Sequence, residues 1–123
     1  MYLILLGGSI VGTVGLNSID WANRRFTIGY WLSEDSTGSG IVTKCCARLI
    51  DHCFAELGLH RATILVAVEN SISRAVPERL GMSLEGIMKD REWLYDHFVD
   101  AAIYGITAPE WHALRNQSVH GPQ

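Results

Sequence analysis

Thr37-Gly38-Ser39-Gly40-Ile41-Val42-Thr43-Lys44 joins an apolar run, Phe26 to Leu32, to a long amphipathic segment with the spacing of a helix. Glycine lets the backbone turn tightly with its N–H groups converging, and the first four amides of the following helix have no intrahelical partners. An anion satisfies those amides, and the helix dipole adds a field of the favourable sign. The stretch therefore reads as a strand-to-helix junction built to hold phosphate. Its spacing excludes two common phosphate loops. A dinucleotide G-x-G-x-x-G site needs a third glycine at Thr43, and a P-loop needs Gly-Lys-Ser/Thr at the end of a longer loop.

Upstream of the junction, Tyr2 to Leu6 and Ile10 to Leu16 are β-branched apolar runs separated by Gly7-Gly8-Ser9, a hairpin signal. Asn17 to Asn23 reads as a polar loop, and Arg25 to Leu32 as a third strand. Downstream, Val42, Cys45, Cys46, Leu49, Ile50, Cys53, Phe54 and Leu57 follow the i, i+3, i+4, i+7 rule of a helix with one buried face, which Gly58 ends. Ala62 to Val68 is a nearly continuous apolar run, as expected of a strand covered on both faces. Asn70 caps a second helix with Ile72, Ala75, Val76 and Leu80 inward and Gly81 as its stop. Pro77 lies inside that helix, where it leaves the Ser73 carbonyl without an intrahelical donor. Leu84 to Met88 and Phe98 to Ile106 are two final strands, separated by the charged segment Lys89 to His97. The order β-β-β-α-β-α-β-β predicts one α/β domain over 1–115. Its sheet is mixed, mostly antiparallel and twisted, with helices on both faces, and a polar tail occupies 116–123.

A chain of 123 residues, 48% hydrophobic and 19% charged, suits one globular core. A net charge of −3 supplies no basic footprint for nucleic acid. No segment approaches the ~20 apolar residues of a membrane span, and Met1 to Leu6 lacks the basic leader of a signal peptide. Cys45, Cys46 and Cys53 fall on one helix, odd in number and without C-x-x-C spacing, so they read as small core residues in a reducing cytoplasm. The five histidines are scattered, and no metal site is expected.

The junction resembles the pyrophosphate loop of the GNAT acetyltransferases, Gln/Arg-x-x-Gly-x-Gly/Ala between a strand and a helix. Gly40 takes the central glycine, while Thr37 and Val42 depart from the pattern at its ends. A more specific match follows in Val68-Glu69-Asn70-Ser71-Ile72-Ser73 and Leu80-Gly81-Met82-Ser83-Leu84-Glu85-Gly86. These resemble the N-x-x-S…L-G-F…E-G signature of the branch that acetylates ribosomal-protein N-termini, with Met82 where phenylalanine is usual. Trp93 to Asp100 and Tyr104-Gly105 are also similar to that branch, so the likeness spans about residues 10 to 111. Family members begin with another strand and two helices, so the chain is expected to start at the second strand of the fold.

The resemblance implies acetyl-CoA as cofactor, its pyrophosphate on the amides of Gly38, Ser39, Gly40, Ile41, Val42 and Thr43. The pantetheine arm would lie on the backbone of Trp31 and Leu32. It implies that Asn70 holds the pantetheine or the helix entry, that Ser73 hydrogen-bonds the CoA sulfur and acts as general acid, and that Glu92 accepts the amine's proton. Amine attack on a thioester asks for those groups: a base, amide donors and a hydroxyl. Each position also has an ordinary reading. Asn70 suits a helix cap, Ser73 a first-turn serine, Glu92 a solvated charged segment, and Trp93 and Tyr95 plain packing. The expected acceptor is a protein N-terminal α-amine. Polyamines or aminoglycosides are the alternative acceptors, and a CoA-binding or oligomer-forming fragment without turnover is the alternative from another class. The front strand, Tyr2 to Leu6, has no gatekeeping charge or proline, so a homodimer or higher oligomer is expected.

Overall fold

The computed structural model describes residues 2–6, 8–33 and 39–120. Six strands form one sheet: β1 (Tyr2–Leu6), β2 (Ser9–Asp20), β3 (Arg25–Leu32), β4 (Arg61–Ala67), β5 (Ser83–Leu94) and β6 (His97–Thr107). They lie in the order β1-β2-β3-β4-β6-β5. Three helices interrupt them, α1 (Ser39–Ala55), α2 (Ser71–Arg79) and α3 (Ala108–His120). Every neighbouring pair is antiparallel except β3 with β4, which run parallel through the α1 crossover. The predicted order of elements is therefore observed, extended by one helix.

Two segments expected as loops are in part strand: of Asn17 to Asn23, residues 17–20 belong to β2 and 21–23 remain a turn, and of Lys89 to His97 only Tyr95 and Asp96 are turn. Asn17 is absorbed as a bulge between the Leu16–Ile28 and Ser18–Thr27 pairs, after which β2 resumes its alternation to Asp20. Lys89, Asp90 and Arg91 bulge out of β5 between the Met88–Ala101 and Glu92–Val99 pairs. Asp90 takes a φ of 49°, and the Asp100 carboxylate accepts its backbone N–H at 2.9 Å. Charge there marks a distortion within a hairpin whose turn is Tyr95-Asp96.

The core lies between the sheet and the helices. Phe26 and Ile28 of β3, Ala62, Ile64 and Val66 of β4, and Ala102, Tyr104 and Ile106 of β6 point into it. From α1, Val42, Cys46, Ile50 and Cys53 meet them, each fully buried. Both α1 and α2 are followed by a glycine in the left-handed region, Gly58 at φ +65° and Gly81 at φ +83°, as the sequence requires.

Among the described residues, the helices expected on both faces pack on one. α1 packs on α2, and Trp111 of α3 donates to Asp51 of α1 at 2.7 Å and meets the Phe54 ring edge-on. β4 accordingly alternates, with Ala62, Ile64 and Val66 buried and Arg61, Thr63, Leu65 and Ala67 only half-buried. An apolar run is necessary for double cover and does not by itself supply it. On the second face Thr27, Thr63, Leu65, Met88 and Ile103 line an open cleft.

Candidate functional site

β3 and β4 pair only from Arg25–Arg61 to Ile28–Ile64, although β3 continues to Leu32 and β4 to Ala67. Past that point the strands part, and the edge of β3 that faced β4 has no strand partner among the described residues. A cleft of about 630 Å³ opens there, lined by Tyr30, Trp31, Leu65, Val66 and Glu92 among others. Trp31 is 51% exposed and Leu32 half-buried. An extended ligand can add to such an edge as a strand would, through main-chain hydrogen bonds.

β3 leads toward the N-terminus of α1. Thr37 and Gly38 lie outside the described residues, as does the side chain of Ser39, whose backbone opens the helix. A β-carbon added at Gly40 would meet nothing within 4 Å, so a ligand has room to reach that backbone. Ile41 and Thr43 are half-buried, whereas the Val42 side chain is fully buried in the core and can offer a ligand only its amide.

Across the opening stands α2. The Asn70 carboxamide accepts the Ser73 backbone N–H at 3.0 Å, a helix cap that fixes where the first turn begins. The Ser73 carbonyl, four residues before Pro77, accepts the Tyr30 hydroxyl at 2.6 Å. Arg74 locks the same turn by donating to the Val68 carbonyl at 3.2 Å and to the Tyr104 hydroxyl at 3.1 Å. That hydroxyl in turn donates to Glu78 at 3.0 Å. Glu92 sits on β5 rather than in a loop. Besides the first cleft it lines a second of about 520 Å³ with Asn70, Ser71 and Ile72. The fold thus brings Trp31 and Glu92 to one cleft and Asn70 and Glu92 to its neighbour. Ser73 lines neither and is tied to both regions through Asn70 and Tyr30.

Burial shapes the titratable groups nearby. It holds the Tyr30 hydroxyl protonated far above the usual phenol range, with Cys46 and Tyr104 adding to the effect. It pushes the Cys46 thiol up to about 12, which excludes that cysteine as a thiolate nucleophile near neutrality. At the rim, His97 lies 2.8 Å from Asp96 and 3.6 Å from Glu69, and its pKa is raised, chiefly by the Asp96 hydrogen bond.

The family model of the acetyltransferase (GNAT) domain matches residues 1–83. The chain belongs to the GNAT family. Among curated GNAT relatives, the putative ribosomal N-acetyltransferase YdaF of Bacillus subtilis is 40% identical over 108 residues, which are 88% of this chain and 59% of that protein. The ribosomal-protein-serine acetyltransferase of Escherichia coli is 36% identical over 105 residues, 85% of this chain and 58% of that one. Among solved structures, Mycobacterium smegmatis RimJ in complex with CoA-disulfide superposes with a TM-score of 0.78 at 34% identity, covering 94% of this chain and 58% of RimJ. The chain spans less than two thirds of the length of these relatives.

Sequence reasoning missed Tyr30, Arg74, Glu69 and His97. A signal existed for Tyr30, because a proline four residues after Ser73 demands an outside donor and Tyr30 is an inward position of β3. None existed for the Glu69–His97 contact, which joins residues far apart in the chain.

Proposed function

We propose that this chain binds acetyl-CoA and transfers the acetyl group to a primary amine, a protein N-terminal α-amine being the acceptor. The parting of β3 from β4 carries this reading. It leaves a main-chain edge at Trp31 and Leu32 that can hold an amide-rich pantetheine arm and leads toward the helix N-terminus at Ser39–Thr43, where a pyrophosphate can sit. The open space over Gly40 suits that group. Two relatives are named for acetylating ribosomal proteins, which supports the acceptor class.

In this reading the amine enters from the side of Glu92, which takes its proton through water. The nitrogen attacks the thioester carbonyl, the carbon–sulfur bond breaks, and the departing sulfur receives a proton through the Ser73 hydroxyl. Asn70 holds the Ser73 amide beside that hydroxyl. A single domain over 1–115 fits this reading, but helix α3 continues through the first residues assigned to the tail. No helix among the described residues is long and apolar enough to cross a membrane, and we place the chain in the cytoplasm.

Incubation with acetyl-CoA and a panel of peptides, polyamines and aminoglycosides, read by mass spectrometry, tests the proposal. Acetylation at a peptide N-terminus is expected. Acetylation of a polyamine or aminoglycoside alone overturns the acceptor. CoA binding without transfer to any amine makes the chain a binding module.

A further inference from the structure

Pro77 has no N–H, so the Ser73 carbonyl one helical turn earlier cannot be satisfied within α2. A buried carbonyl left unpaired is costly, and a partner is expected from elsewhere. Tyr30 supplies it at 2.6 Å from a strand that belongs to the other wall of the cleft. Its neighbour Trp31 is part of the edge assigned to the pantetheine arm. The Ser73 amide is held from the other end by Asn70 at 3.0 Å. Both backbone groups of Ser73 are therefore fixed by side chains rather than by helical neighbours, and the hydroxyl is the polar group that remains for chemistry.

We infer that Tyr30 is a positioning residue for the transfer reaction: through the proline-vacated carbonyl it locks the Ser73 hydroxyl in register with the strand that holds the cofactor. This rests on the acetyl-transfer reading and adds a residue that reading does not require. Val14 lies beside Tyr30 in the β2–β3 ladder, and Tyr30 comes two residues after Ile28, the last β3 residue paired with β4, so the anchor sits where the opening begins. Burial keeps the hydroxyl protonated, and it remains a donor throughout the working pH range. The arrangement explains why a helix-disrupting residue is tolerated in the middle of α2. With the helical bond removed, the carbonyl is available to a residue outside the helix.

Tyr30→Phe removes the donor and keeps the ring. Its kcat is expected to fall about tenfold, the effect of one lost hydrogen bond to a partly buried carbonyl, with KM for acetyl-CoA near the parental value. Tyr30→Phe/Pro77→Ala restores an N–H inside the helix, and kcat is expected to return toward that of Pro77→Ala alone. The carbonyl carbon shift of Ser73 gives an NMR readout independent of turnover: it moves upfield in Tyr30→Phe, where the carbonyl loses its donor, and returns toward the Pro77→Ala value in the double variant. Parental kcat in Tyr30→Phe, or a double variant as slow as Tyr30→Phe, overturns the inference while leaving acetyl transfer intact. A parent chain that acetylates no amine overturns the transfer reading and the catalytic role of Tyr30 with it. A parental Ser73 carbonyl shift in Tyr30→Phe removes the anchor itself.

Discussion

At His97 three elements meet in one side chain. Asp96 belongs to the β5–β6 turn, Glu69 to the loop before α2, and the imidazole bridges them at the rim of the second cleft. The Asp96 hydrogen bond contributes most to raising its pKa, desolvation opposes it, and Glu69 adds to the rise. A raised folded-state pKa means that the tether's contribution is complete below the ordinary histidine value of about 6.5 and is lost as pH rises through the higher folded value. NMR titration is expected to place the His97 midpoint above 6.5, and Asp96→Asn is expected to lower it. A His97 midpoint at or below 6.5 contradicts the tether. Ser73, Asn70 and Glu92 were recognisable as residues from local motifs. Pro77 made the need for an outside donor at Ser73 legible, but that Tyr30 meets it, and that Glu69 meets His97, depends on how distant strands are arranged.

At the scale of elements, α3 shows what a local signal is worth. Thr107-Ala108-Pro109-Glu110 is a capping box with proline in the first turn. Glu110 accepts the Thr107 backbone N–H and hydroxyl, each at 2.9 Å, and Thr107 accepts the Glu110 amide at 3.5 Å. The helix was legible there but was passed over, because its low apolar content reads as tail. Trp111 anchors it, buried against Phe54 and bonded to Asp51, and Arg115 pairs with the same carboxylate at 3.1 Å. Thr107→Ala is expected to lower stability by about 1 kcal/mol, read as a shift of the urea midpoint at unchanged slope. An unchanged midpoint shows that α3 is held by Trp111 without its cap. The opposite error occurred in β5, where Lys89 to Arg91 looked like a loop because a bulge places charged residues out of phase with the strand period.

At the scale of the whole molecule, the sequence carried the order of elements and the crossover, since each periodic segment announces its own type. It did not carry the one-sided cover of the sheet, which depends on what lies against the second face. The strand order leaves β1 and β5 as edges. β5 exposes Ile87 and Met88, and Trp93 stacks edge-on against Phe98 with both rings more than half exposed. An unpaired edge beside exposed apolar side chains invites association, so we expect a dimer or higher oligomer in sedimentation at micromolar concentration. A compact monomer alone contradicts this.

The cofactor site is the centre of the account, because the parting of β3 from β4 and the start of α1 have a joint chemical meaning only if a CoA-like ligand spans them. Calorimetric titration of acetyl-CoA into the parent chain and into Gly40→Asp tests it most directly. Space exists for the new side chain, so the variant changes charge at the helix N-terminus without steric disruption. The account predicts saturable binding by the parent and at least about tenfold weaker binding by Gly40→Asp, the effect of an added charge opposing the pyrophosphate. Equal affinity of the two proteins, or no binding by the folded parent, would contradict it.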